Sequence, residues 1–119
     1  MAESPRFKQI TDDAKTRVRE VSASEAAAQQ SQGALLIDVR ESDEFAKGHA
    51  KGAIPLSKGV LELRIEETAP DVATPIICYC GGGSRSALAV DNLQKMGYTN
   101  VASMSGGFKS WKVAGLPVE

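Results

Sequence analysis

The sequence predicts an α/β fold built on a mostly parallel sheet, and three observations carry that expectation. Two nearly continuous apolar runs, Ala34-Leu35-Leu36-Ile37-Asp38-Val39 and Pro75-Ile76-Ile77-Cys78-Tyr79-Cys80, have the composition of strands buried on both faces. Segments with helical spacing alternate with them along the chain, the order that lays helices over a parallel sheet. The second run ends in Gly81-Gly82-Gly83 and passes directly into a helical pattern, so it reads as a strand-to-helix turn.

The individual elements follow from local signals. Residues 1–17 read as a lead-in carrying a short helix, and residues 18–119 as one domain with no internal repeat. The first nine residues, with Pro5 and several charges, read as a loose start. Ile10, Ala14 and Val18 have helical spacing, and Asp12 and Asp13 suit a first turn, which puts a helix from about Thr11. Ser22 with Glu25 is a capping-box signature; it opens an Ala-rich helix over residues 23–32 that Gly33 closes. Leu61-Glu62-Leu63-Arg64-Ile65-Glu66 alternates strictly and, by periodicity, reads as a strand. A helix is expected over 86–96, with Ala89, Val90, Leu93 and Met96 on one side and Gly97 as its stop. A short strand over 100–103 and a helix over 107–114 complete the chain, the latter with Phe108 and Trp111 on one side before Gly115 and Pro117.

Composition narrows the possibilities further. The 119 residues are 42% apolar and 24% charged, which suits one globular domain and excludes a disordered or collagen-like chain. Fourteen Lys and Arg against fifteen Asp and Glu leave a formal charge of −1, so neither nucleic acid nor an anionic membrane is expected as a partner. The longest apolar runs are far too short to span a bilayer, and the polar first nine residues lack a signal-peptide core, so a cytoplasmic protein is expected. The two cysteines, Cys78 and Cys80, lie too close in sequence to staple a fold.

The sharpest chemical feature is Cys80-Gly81-Gly82-Gly83-Ser84-Arg85-Ser86 between the buried strand and the helix. In open α/β sheets, ligands bind at the carboxyl ends of strands, where helix N-termini point. Consecutive glycines let backbone N–H groups converge into an anion-binding nest, and the helix N-terminus adds about half a positive charge. Both effects favour a thiolate, the nucleophilic form of cysteine. Arg85 sits where a cation is disfavoured by about 0.3–1 kcal/mol, so a compensating role is expected: gripping an anion, or tying down the loop. Ser84 and Ser86 are candidate helix caps, and Ser86 is a candidate donor to a bound sulfur species. Two blander readings stand beside this one. Cys80 can be a small buried hydrophobe beside a tight turn. Cys78 and Cys80 can also share a face as a metal or redox pair, although His49 is the single histidine and a four-ligand zinc site lacks donors. Cys78, inside the apolar run, reads as core.

The loop, together with Leu36-Ile37-Asp38-Val39-Arg40-Glu41, Glu44-Phe45, Gly48-His49-Ala50-Lys51-Gly52-Ala53-Ile54-Pro55 and Gly106-Gly107-Phe108-Lys109-Ser110-Trp111, resembles a single-domain rhodanese from about residue 18 onward. The resemblance implies a rhodanese-like three-layer sandwich, an about five-stranded parallel sheet flanked by helices. It also implies that residues 61–66 are helical or irregular, which overrides their alternation. The implied activity is sulfur transfer: thiosulfate or a related persulfide donor gives its outer sulfur to Cys80, and cyanide, a thiol or a protein acceptor removes it. Gly81, Gly82, Gly83, Ser84, Arg85 and Ser86 would then form the substrate-binding loop, with no metal and no organic cofactor. Asp38 and Arg40 are expected as a buried ion pair, with Arg40 also a candidate for the pocket mouth. His49 is expected in a structural turn, and Phe108 and Trp111 in the core and pocket wall.

Two departures, one discriminating loop length and one rival accompany the resemblance. Gly81 stands where many thiosulfate-using members carry a basic residue, and Ala50 replaces a larger aliphatic one. Four residues separate Cys80 from Arg85, one fewer than in cysteine phosphatases, which fits a sulfur atom better than a phosphate. The rival is a non-catalytic rhodanese-like binding or regulatory module; retention of the loop cysteine argues against it.

Overall fold

The two apolar runs become adjacent strands at the middle of one sheet, because that is where both faces of a strand are covered. The computed structural model describes residues 3–119. In chain order the strands are β1 (Glu20–Val21), β2 (Leu35–Asp38), β3 (Ile54–Pro55), β4 (Ile76–Tyr79) and β5 (Val101–Met104). They are arranged β1-β5-β4-β2-β3, and every neighbouring pair is parallel. In the central register, Ile37 lies opposite Cys78 and Asp38 opposite Tyr79.

The helices are α1 (Pro5–Lys15), α2 (Ala23–Ser31), α3 (Ser42–Ala46), α4 (Lys58–Thr68), α5 (Ser84–Lys95) and α6 (Gly107–Val113). The sheet separates two hydrophobic layers. Ile76, Cys78 and Cys80 face α4 and α5, while Ile77 and Tyr79 face α2 and α6. Strand periodicity of two produces this split from one continuous apolar run. Two bonds tie loops to the layers: the Tyr98 hydroxyl donates to Ala69 O at 2.6 Å, and Trp111 Nε1 donates to Pro117 O at 2.8 Å. Among the described residues, every buried side-chain nitrogen and oxygen has a hydrogen-bond partner, and no helix is long and apolar enough to cross a membrane.

Several local expectations are corrected. The alternating segment 61–66 lies inside α4, as the resemblance implied and its periodicity did not. Leu, Glu and Arg are good helix formers, and Leu61 and Ile65 are also spaced i, i+4. Both are fully buried, whereas Leu63 is 80% exposed. Helix α1 begins at Pro5 instead of near Thr11, so most of the described part of the supposed loose start is helical. The signals were present in Ser4, whose side chain caps Phe7 N–H at 3.3 Å, and in Pro5, which suits a first helical position. Met1 and Ala2 lie outside the described residues. Helix α5 opens at Ser84, two residues earlier than expected. The two-residue strands β1 and β3 and the single turn of α3 have too few residues for periodicity to reveal. Pro55, which has no N–H to donate, is tolerated because β3 is an edge strand.

The α4 assignment predicts an asymmetric alanine scan. Leu61→Ala and Ile65→Ala should each cost about 2–5 kcal/mol in urea unfolding. Leu63→Ala should stay within about 0.5 kcal/mol of wild type. Were the segment a strand, residues 61, 63 and 65 would share a face and behave alike.

Candidate active site

Strand β4 ends at Tyr79 and α5 begins at Ser84, so Cys80-Gly81-Gly82-Gly83 is the entire turn between them. So short a reversal requires a left-handed residue, and Gly83 supplies it at φ +100° as the N-cap of α5. No side chain caps this helix. The place of the capping acceptor is taken by the sulfur of Cys80, to which Gly83 N–H donates at 3.1 Å and Ser86 N–H at 3.4 Å. Two N–H donors and the N-terminal end of α5 thus converge on that sulfur.

Ser84 and Ser86, expected as caps, do not serve as such. Ser86 Oγ instead turns inward, 3.6 Å from the Cys80 sulfur and 2.8 Å from Ser103 Oγ on β5. All three side chains are buried, so this hydroxyl chain fixes the position of Ser86 beside the sulfur.

The loop backbone is held from the other side by α6. Phe108 N–H donates to Cys80 O at 2.7 Å and Lys109 N–H to Gly81 O at 3.3 Å. This approach demands glycine at position 107: a Cβ there would sit 2.4 Å from Cys80 O. Thus the Gly106-Gly107 motif supports the cysteine loop.

Arg85 finds the compensation its location called for. Its Nη1 and Nη2 donate to Glu44 Oε1 and Oε2 at 2.8 and 3.2 Å, a bidentate pair across to α3. The pairing holds the Glu44 carboxyl below its usual range and pushes Arg85 further up. The same guanidinium lies close to Gly81, where a Cβ would come within 3.2 Å of Arg85 Nη2.

The remaining candidates divide by position. A cleft of about 860 Å³ has Cys80 at its base, only 1% exposed, with Gly82, Ser84, Arg85 and Glu44 in its lining. Its other lining residues are Glu3, Ser4 and Phe7, at the start of α1. Arg40, a candidate for the pocket mouth, is not among them. It is buried, with Nε and Nη2 on Asp38 at 3.0 and 2.8 Å, Nη2 also on Gly48 O, and its Cζ 4.6 Å from the Phe108 ring centroid. Asp38 leaves β2 pointing into that niche, so Arg40 clamps the strand end to the turn at Gly48, beside the cleft residue Glu44. His49 stacks on Phe45 at 3.7 Å, with Nδ1 on Phe45 O and Nε2 on Glu119, away from the cleft lining. Cys78 is fully buried, and that burial pushes its thiol up to about 12.

Sequence reasoning assigned no role to Glu44 or Ser103 and read Glu3, Ser4 and Phe7 as lead-in. Only the anomalous cation in the first turn of α5 pointed toward Glu44.

The two arginine forks should respond differently to neutralisation. Asp38→Asn strands a buried guanidinium and should cost about 3–5 kcal/mol in chemical denaturation. Glu44→Gln removes a partly exposed pair and should cost about 0–1 kcal/mol. Because the folded Glu44 carboxyl is depressed, the pair stabilises fully above the ordinary carboxylate range and loses its effect as pH falls through the depressed value. Wild type and Glu44→Gln should therefore converge in stability in acid.

A family model of the rhodanese-like domain matches residues 22–114. Thiosulfate sulfurtransferase GlpE of Haemophilus influenzae is 40% identical over 101 residues, which cover 85% of this chain and 94% of that protein. Among solved structures, the polysulfide-sulfur transferase homodimer of Wolinella succinogenes is 28% identical, covering 96% of this chain and 87% of that one with a TM-score of 0.83. A Rhodopseudomonas palustris protein of unknown function, described as a possible tyrosine phosphatase, is 30% identical over 100% of this chain and 99% of that one, with a TM-score of 0.84. Matched over most of its length and folded as these structures are, the chain belongs to the rhodanese-like family, and its named relatives support a sulfurtransferase.

Proposed function

We propose that this protein moves sulfane sulfur from thiosulfate or a related persulfide donor to cyanide or a thiol, holding it as a persulfide on Cys80. The observation that carries the reading is the sulfur of Cys80 standing in for the cap of α5, at the base of a cleft, with two N–H groups directed at it. In the first half-reaction the Cys80 thiolate attacks the outer sulfur of thiosulfate. The S–S bond of the donor breaks, and sulfite leaves with the electron pair. In the second, the acceptor attacks the terminal sulfur of the persulfide, and the pair of the breaking bond returns to Cys80. One transfer is thereby split into two easier ones, and the loop N–H groups stabilise the anion at each stage. The reading needs no metal and no organic cofactor. It assumes a cytoplasmic setting, where free thiols such as Cys78 and Cys80 persist.

Two observations weigh against phosphate chemistry, which the description of the R. palustris neighbour suggests for that protein. The loop is one residue shorter than a cysteine-phosphatase loop, and the Arg85 guanidinium is engaged by Glu44. Glu44 takes two of the five guanidinium N–H donors and sets a carboxylate beside any phosphate held there.

Incubation with thiosulfate, removal of excess reagent and intact-mass measurement test the proposal. Wild type and Cys78→Ser should each gain one cyanide-labile sulfur, and Cys80→Ser should gain none. Full loading of Cys80→Ser would remove Cys80 from its assigned role. Iodoacetamide near neutral pH should label Cys80 and leave the fully buried Cys78 unmodified. A Cys80 that resists both reagents would favour the non-catalytic binding module.

A further inference from the structure

The family-matched span starts at residue 22, yet the cleft over Cys80 is not built from that span alone. Helix α1 lies upstream and contributes Phe7, with Glu3 and Ser4 just ahead of it. The helix is fixed to the body. Thr11 and Ala14 are buried, and Arg17, two residues past its end, donates Nε and Nη2 to Asp91 of α5 at 3.2 and 2.8 Å. Gln94 closes the same seam by donating to Arg17 O at 3.2 Å. Phe7 is therefore a fixed part of the cleft.

Size and charge say what such a cleft suits. Its volume of about 860 Å³ lies in the range that holds whole small organic ligands, far more room than a few-atom inorganic donor or cyanide uses. Its charged lining side chains are Glu3, Glu44 and Arg85. Glu44 and Arg85 pair with each other, which leaves Glu3 as the lining carboxylate in no ion pair among the described residues, with Lys8, itself paired to Asp12, adding a cation nearby but outside the lining. The start of α1 offers little to an anion, since Ser4 already accepts from Phe7 N–H and Pro5 has no N–H. The base of the cleft thus stabilises an anionic sulfur, while its outer part presents an aromatic ring and a carboxylate.

We infer that α1 completes the sulfur-transfer site, with Phe7 holding the carbon body of a small organic thiol and Glu3 favouring neutral or cationic thiols over anionic ones. This rests on the proposed sulfur transfer and names the class of acceptor. In the step concerned, the substrate thiolate attacks the outer sulfur of the Cys80 persulfide and forms the new S–S bond. The bond between that sulfur and Cys80 breaks, its electron pair returns to Cys80 as thiolate, and the outer sulfur keeps its proton in the product persulfide. No external oxidant or reductant is consumed.

The test is single-turnover discharge of full-length protein first loaded with sulfur from thiosulfate or inorganic polysulfide. Discharge rates are measured with cysteamine, 3-mercaptopropionate, benzyl mercaptan and cyanide. Differences in intrinsic thiol reactivity cancel when each variant's rate ratios are compared with those of wild type. Glu3→Gln should lower the cysteamine to 3-mercaptopropionate ratio about threefold. Phe7→Ala should lower the benzyl mercaptan to cyanide ratio about fivefold, and Phe7→Leu should restore most of it. Unmoved ratios in these variants would overturn the inference. So would equal slowing of cyanide and benzyl mercaptan in Phe7→Ala, the result expected if α1 only supports the fold. Failure of wild type to take up sulfur at Cys80 from either donor would overturn the sulfur-transfer reading, and this inference with it.

Discussion

Helix α5 begins without a side-chain cap, and the sulfur of Cys80 occupies the position such a cap would take. Much of the local architecture serves that single contact. The turn from β4 must be short enough to bring the sulfur back over the helix it precedes, which forces Gly83 into a left-handed conformation. The loop carbonyls must then face away from the sulfur, and α6 receives them through Phe108 and Lys109 N–H. That approach leaves no room for a side chain at position 107. Strand β5 adds Ser103, which holds the Ser86 hydroxyl beside the sulfur. In α1 and α2 a serine side chain satisfies the helix start, and in α5 the sulfur of Cys80 does.

Two arginine–carboxylate forks flank this arrangement, and burial separates their roles. The Asp38–Arg40 pair is buried, reaches Gly48 O and lies against Phe108, so it fixes the end of β2 to the turn that follows α3. The Glu44–Arg85 pair is partly exposed in the cleft, where it anchors the first turn of α5 and engages Arg85, the one cationic side chain among the described lining residues. With a formal charge of −1 over the whole chain, long-range attraction of an anionic donor is absent. Arg85 also lies close over the glycine that follows Cys80.

The legible part of the site was its local chemistry. A cysteine, three glycines and a helix start within seven consecutive residues specify, through backbone conformation alone, a tight strand-to-helix turn with the sulfur over the helix end. The partners were not legible. Glu44 stands 41 residues from Arg85, Ser103 stands 17 from Ser86, and Phe7 belongs to a helix that meets the loop only by packing on α5. Pattern also misled where two periodicities coincide. Leu61 and Ile65 satisfy both strand alternation and helical spacing, and only their burial, against the exposure of Leu63, decides between them.

What the sequence determined by itself was the parallel α/β plan and the location of the cysteine-bearing turn. Apolar runs, caps and glycines act over a few residues, and their physics is complete within that distance. Which arginine is buried, which carboxylate answers it and which helix walls the cleft were decided by tertiary structure. Those outcomes depend on the order β1-β5-β4-β2-β3 and on the helices stacked over it, an arrangement that brings α3 and α1 to the carboxyl end of the central strand. A charge or a ring acquires its role from what desolvates it, and no local pattern carries that information.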